Sequence, residues 1–171
     1  MMGERMEKAL NEQVNAELFS AYLYLSMSAY LESVDLPGAA SWMHMQAKEE
    51  VIHAMKLFDY IHSVGGRVAL EAVDKPQYEW SSITEVFEAA LGHEKKVTAM
   101  INNLVDIALE EKDHAANQML QWFVAEQVEE EESATEVLRQ LKMVGDGHGL
   151  FMVDRELGTR MPPAEAPADG E

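Results

Sequence analysis

Between residues 67 and 81 the chain loses helical periodicity, in a segment rich in Val, Asp, Pro and Tyr, and a pair of long amphipathic patterns lies on each side of it. Fifteen residues is long for a connection with no structure of its own. On the first side Met6, Leu10, Val14, Ala21, Tyr24, Leu25 and Leu31 fall on one stripe at about 100° per residue, which predicts a helix from Glu4 to Glu32. The turn Asp35-Leu36-Pro37-Gly38 follows, and Pro37 suits the first position of a second helix. That helix is expected to run to about Val64, where Gly65-Gly66 ends it. On the other side Ser82-Ile83-Thr84-Glu85 reads as a capping box that opens a third helix to about Glu111. Lys112-Asp113-His114 is a tight turn with Asp113 as N-cap of a fourth helix to about Val144. Gly145, Gly147 and Gly149 interrupt the pattern, and a short fifth helix is expected from Leu150 to Leu157.

These loop lengths dictate a topology. Short turns make each pair an antiparallel hairpin. A helix of about 27 residues is roughly 40 Å long, and fifteen extended residues reach roughly 50 Å, so the middle segment can cross the whole bundle. Helices two and three are then parallel. The expected fold is all-α: a four-helix bundle with one long crossover and a short fifth C-terminal helix. Residues 1–158 form one domain in this reading, and the acidic, Pro- and Ala-rich tail 159–171 has nothing to bury and is expected to be disordered.

Composition narrows the function. A formal net charge of -18 argues against nucleic acid, whose phosphates need a basic face, and suits a protein that gathers cations, although solubility alone also accounts for it. No apolar run is long enough to span a membrane, and the start Met-Met-Gly-Glu-Arg-Met-Glu-Lys lacks the apolar core of a signal peptide. The chain has no cysteine, which removes thiol, disulfide and iron–sulfur chemistry and fits a reducing cytoplasm.

Acids inside the apolar stripes carry the chemistry, because an unpaired buried charge is costly. Glu17 interrupts the first stripe between Leu10 and Tyr24. Glu50 aligns with Met43, Leu57 and Ile61, and His53, three residues on, shares its face. Glu94 aligns with Phe87 and Ile101. On the fourth helix Gln127 aligns with Leu120 and Ala134, and Glu130 lies close by. The wheel alone leaves Glu130 and Glu131 as alternatives. Four carboxylates and one imidazole would repel and take up protons in a dry core, whereas two divalent ions would neutralise them, and this donor set suits iron or manganese. Glu49, Glu126 and Glu129 flank the stripe. They form either a third, more exposed cation site or a solvated acidic face. His44, His62, His93, His114 and His148 are expected at the surface or in turns, and Tyr24 and Trp122 in packing.

Asn15-Ala16-Glu17, Ser20 to Leu25, Glu49-Glu50-x-x-His53-Ala54, Gly65-Gly66, Glu94, Glu110 to Asp113 and Gln121 to Glu130 together carry a resemblance to a prokaryotic non-haem ferritin of the catalytic kind. It implies a ferritin-like fold and a ferroxidase that stores iron. Two ferrous ions would bind at Glu17, Glu50, His53, Glu94, Gln127 and Glu130, with Glu50 bridging and Tyr24 beside the pair. A third iron site would use Glu49, Glu126, Glu129 and Glu130. The oxidant would be oxygen or peroxide, and ferric mineral would grow in a hollow shell of twenty-four subunits. Bacterioferritins carry a second Glu-x-x-His and a methionine before the first histidine; here stand Gln127-x-x-Glu130 and Ile52, so no haem is expected. Animal ferritins line a channel with acids where this chain has His114, Asn117, Leu120 and Gln121. A rubrerythrin-type peroxidase is disfavoured by the missing cysteines, and a DNA-protecting mini-ferritin by the acidic tail.

Overall fold

The computed structural model of the chain describes residues 2–145 and 147–162. Five helices follow in order: α1 (Glu4–Ser33), α2 (Pro37–Ser63), α3 (Ile83–Glu111), α4 (His114–Val144) and α5 (His148–Leu157). No strand occurs among the described residues. Local chemistry sets the helix ends. The Ser82 hydroxyl accepts from the Glu85 backbone N–H at 3.1 Å. The return half of that box is displaced by one residue, since the Glu85 carboxylate accepts from the Ser81 N–H and Ser81 Oγ, each at 2.5 Å. Asp113 Oδ1 accepts from the Ala116 N–H at 3.0 Å and starts α4. Gly65, at φ 79°, turns the chain out of α2 while the Gly66 N–H donates back to the Ile61 carbonyl at 2.8 Å.

Two apolar clusters fill the bundle, one at each end, and their membership gives the helix directions. One holds Leu23, Tyr24, Met27 and Leu31 of α1, Ala39 to Ala47 of α2, Ile83 to Ala90 of α3 and Val137 to Leu141 of α4. The other holds Met6, Leu10 and Val14 of α1, Leu57 and Ile61 of α2, Val97 to Ala108 of α3 and Ala116 to Phe123 of α4. Each hairpin is therefore antiparallel, and α2 runs parallel to α3. The connection between them travels the length of the bundle along α1. Asn11 Oδ1 accepts from the Ala69 N–H at 2.7 Å, and Ser26 Oγ donates to the Gln77 carbonyl at 2.6 Å. Trp80 anchors its far end against Tyr30, with ring centroids 5.4 Å apart.

The short α5 lies across the start of α2. The buried Asp154 carboxylate accepts from the Gly38 and Ala39 N–H groups at 3.2 and 2.8 Å, using the positive end of α2. Gly38 permits this approach, because a Cβ there would stand 1.7 Å from the Asp154 carbonyl oxygen. α5 begins at His148, two residues before the expected start, so His148 opens the helix instead of lying in a turn, as His114 opens α4. Most of the tail, residues 163–171, lies outside the described residues. Leu25 departs from its expected place in the core stripe. It is 44% exposed, because one step of 100° beyond Tyr24 carries it past the edge of the stripe onto the α1–α2 flank.

Candidate metal centre

The seam between the two apolar clusters is polar, and every long helix contributes to it. Glu17 of α1, Glu50 and His53 of α2, Glu94 of α3, and Gln127 and Glu130 of α4 are all buried there. On α4 the three-residue step from Gln127 selects Glu130. Glu131 turns outward to accept from Thr98 Oγ1 at 2.7 Å. The inward atoms form two overlapping triads, Glu17–Glu50–His53 and Glu50–Glu94–Glu130, in each of which one ligand atom per residue lies within 4.8 Å of the others. Glu50 belongs to both. Its Oε2 stands 3.4 Å from His53 Nδ1.

Few protein donors reach these oxygens. Gln13 Nε2 donates to Glu17 Oε1 at 2.8 Å, while Glu17 Oε2 is buried with no partner among the described residues. Gln127 Nε2 donates to Glu94 Oε2 at 3.1 Å, and the Tyr24 hydroxyl donates to Glu94 Oε1. Gln46 Nε2 donates to Glu130 and, at 3.3 Å, to Glu50 Oε1. Burial pushes the Glu17 and Glu50 carboxyls well above the ordinary range, and their acidic neighbours push the same way. Glu94 is raised by burial, and Glu130 is raised by burial and by Glu94 to about 8. Burial and Glu94 also raise the Tyr24 hydroxyl well above its usual value. Such a centre holds protons when alone and would release them to a cation that took their place. The orphaned Glu17 oxygen and the carboxylate-rich donor set fit a pair of hard or borderline divalent ions.

A cavity of about 260 Å³ opens beside the centre, lined by Glu49, Ile52, His53, Trp122, Glu126, Glu129, Glu130, Ser133 and Arg160. The three flanking acids of the sequence reading thus converge on one space. His53, Glu126 and Glu130 form a third triad with ligand atoms within 4.8 Å. Burial raises Glu126, and Glu129 and Glu49 add to the rise against the opposing effect of His53. Trp122 stands edge-on to His53 with centroids 5.4 Å apart, and Lys56 Nζ lies over the Trp122 ring, 4.3 Å from its centroid.

Four participants escape the sequence reading. Gln13 and Gln46 each precede an inward glutamate by four residues, which is the signal that finds them: an amide one turn before a buried acid. Arg160 lies in the stretch assigned to the tail, yet its side chain is held against α2. His93, expected at the surface, is half-buried. It bonds to Ser20 Oγ at 2.7 Å, stands edge-on to Tyr24 with centroids 6.0 Å apart, and is lowered by burial and by Lys96 to about 4. Its position beside Glu94 turns it into the crevice between α1 and α3. His44 and His62 are exposed, as expected.

The family described as the ferritin-like domain matches residues 7–144. The chain belongs to the ferritin family. It is 42% identical over 159 residues to the probable bacterial non-heme ferritin-like protein of Haemophilus influenzae, spanning 92% of this chain and 96% of that protein. It is also 42% identical over 160 residues to the bacterial non-heme ferritin of Bacteroides fragilis, spanning 94% of this chain and the whole of that one. Among solved structures, the open pore ferritin of the hyperthermophilic archaeon Archaeoglobus fulgidus superposes with a TM-score of 0.93 at 48% identity, covering 94% of this chain and 99% of that one. A humanized archaeal ferritin gives 0.94 at 45% identity, with 96% and 100% covered. No described helix is long and apolar enough to cross a membrane.

Proposed function

We propose that this ferritin oxidises ferrous iron at the buried centre and stores the ferric product inside a shell built of its own copies. The observation that carries the reading is the pair of triads sharing Glu50, Glu17–Glu50–His53 and Glu50–Glu94–Glu130, which would hold two ferrous ions side by side. Gln127, beside Glu94, completes the set. Loading expels the protons that burial keeps on the carboxyls. Two ferrous ions then give up two electrons, and dioxygen takes them with two protons to leave as hydrogen peroxide; peroxide is the alternative oxidant. Tyr24, donating to Glu94, is placed to lend an electron or orient that ligand. Ferric ions pass toward the outer acids Glu49, Glu126 and Glu129, which form the third iron site and bridge the centre to the stored mineral.

Self-association is supported by an apolar flank of α1 and α2, where Tyr22, Leu25, Val51 and Met55 are all exposed and Leu25 and Val51 line one groove. The family suggests twenty-four copies. Ile52 and the Gln127-x-x-Glu130 pattern give no haem ligand, and the cysteine-free composition suits the cytoplasm. The test is ferrous iron added to metal-free protein in air. Rapid oxidation, iron that stays in solution, and a particle of shell-like mass are expected. Oxidation no faster than in buffer would sink the reading.

A further inference from the structure

We propose that Arg160 is a displaceable counter-ion of the outer acid cluster, a cation of the chain itself that a metal ion must dislodge to bind beside Glu49. This rests on the reading of the adjoining centre as a cation pair. Glu49, Glu126 and Glu129 bring three carboxylates to one cavity, and Arg160 is the cationic Lys or Arg side chain among its lining residues. Its Nη2 pairs with Glu49 and its Nη1 donates to Gln46 Oε1 at 2.8 Å. The guanidinium lies 4.3 Å from the Trp42 ring centroid. Both partners of the ion pair are only about one-fifth exposed, so solvent screens them less than a surface pair.

The position of Arg160 follows from α5. Asp154 fixes α5 on the first N–H groups of α2, and the chain leaving α5 is thereby laid along α2 toward Gln46 and Glu49. Gln46 extends the effect inward. Its carbonyl accepts from Arg160, so its amide N–H groups point to Glu50 and Glu130. Arg160 is thus also a positioning residue: it fixes which end of the Gln46 amide faces the inner carboxylates. When a cation takes Glu49, the guanidinium leaves, and the Gln46 amide is free to turn and release Glu130 for the outer site.

Calorimetric titration of the metal-free, assembled full chain with Zn(II) tests this without redox chemistry. The parent is expected to take a tight pair of ions per subunit and a weaker third. Arg160→Gln should tighten the third by about fivefold, the size of one partly screened ion pair. Arg160→Lys, which keeps the charge and loses the fork, should fall between the two. An unchanged or weakened third ion in Arg160→Gln, or no third ion in either protein, overturns the proposal. Absence of the tight pair in the parent instead sinks the reading of the inner centre, so the two failures are told apart. Hydrogen exchange on the unmodified chain gives a readout that needs no variant. Zn(II) beyond the tight pair should speed exchange in residues 158–162, and an unaltered rate there also overturns the proposal.

Discussion

Seven glutamates meet around this centre, and they form two sets held by different means. Glu17, Glu50, Glu94 and Glu130 lie in the dry seam, where amides from Gln13, Gln46 and Gln127 and the Tyr24 hydroxyl are the donors that reach them. Glu49, Glu126 and Glu129 lie at the cavity wall, one to four residues away along the same helices, and one guanidinium sits among them. The side chain is the same in both sets. Inside, desolvation makes charge costly, so in the proposed reading a cation enters by driving out protons. Outside, the acids are less deeply buried and a guanidinium already pairs with Glu49, so there an entering cation would compete with Arg160. A step of one residue, 100° on the helix, separates Glu49 from Glu50 and one mode of binding from the other.

The strongest way to break this contrast is to delete the inner ligands. Glu50→Ala with His53→Ala should slow ferrous oxidation by at least about 100-fold, more than the loss of a supporting partner costs, as followed by the rise of ferric absorbance. The inner set should also mark the pH profile of the metal-free protein. The Glu130 carboxyl is raised from 4.5 to about 8, so the native state holds that proton more tightly than the unfolded chain. Its contribution to stability is fully present below pH 4.5 and is lost as pH rises through 8, a change on the order of 5 kcal/mol. His93 acts in the opposite sense. Lowered from 6.5 to about 4, it favours folding above pH 6.5 and loses that contribution as pH falls through 4. Denaturant unfolding with and without a divalent ion would resolve both, and the ion should abolish the loss at high pH. A profile that rises from pH 5 to 8 without metal would contradict the raised carboxyls.

Smaller changes sharpen the boundary. Gln46→Leu removes the donor shared by Glu50 and Glu130 and should weaken the tight pair of ions by about tenfold, measured by Zn(II) competition with a chelator. Gly38→Ala forces a Cβ onto the Asp154 carbonyl, and should cost about 1 to 3 kcal/mol while lifting α5 and Arg160 from α2. The outer ion should then tighten as in Arg160→Gln, and an outer ion unaffected by that shift would separate α5 from the cavity. Smallest of all, Glu129→Gln should change the initial oxidation rate by less than about threefold, because an exposed carboxylate is worth little beyond local attraction. A loss as deep as that of the inner double variant would dissolve the distinction between the two sets.

Much of this arrangement was legible in the chain. Glu17, Glu50, Glu94 and Gln127 interrupt apolar stripes at helical spacing, and the stripes tell which way they face. The crossover was legible from length alone, since fifteen residues after a two-glycine stop reach the far end of a helix of that size. Leu25 was misplaced because a stripe has a soft edge, and one step of 100° decides between core and flank. His93 was misplaced because its burial comes from α1, through Ser20, and no pattern on α3 announces it. Arg160 was invisible for a related reason. It lies between Gly158-Thr159 and Pro162-Pro163, in a stretch rich in proline and polar residues where composition predicts disorder, and only the seating of α5 on α2 gives it a partner.

Periodicity and loop length are local properties written residue by residue, and they suffice for the helices, their order and direction, and the inward turn of one acid on each. Tertiary structure alone decided which acids share a space, that Glu50 stands in both triads, and that Gln46 links the inner carboxylates to Arg160. Those relations depend on distances of a few ångströms between residues far apart in the chain, and such distances exist only once the two hairpins and α5 have packed together.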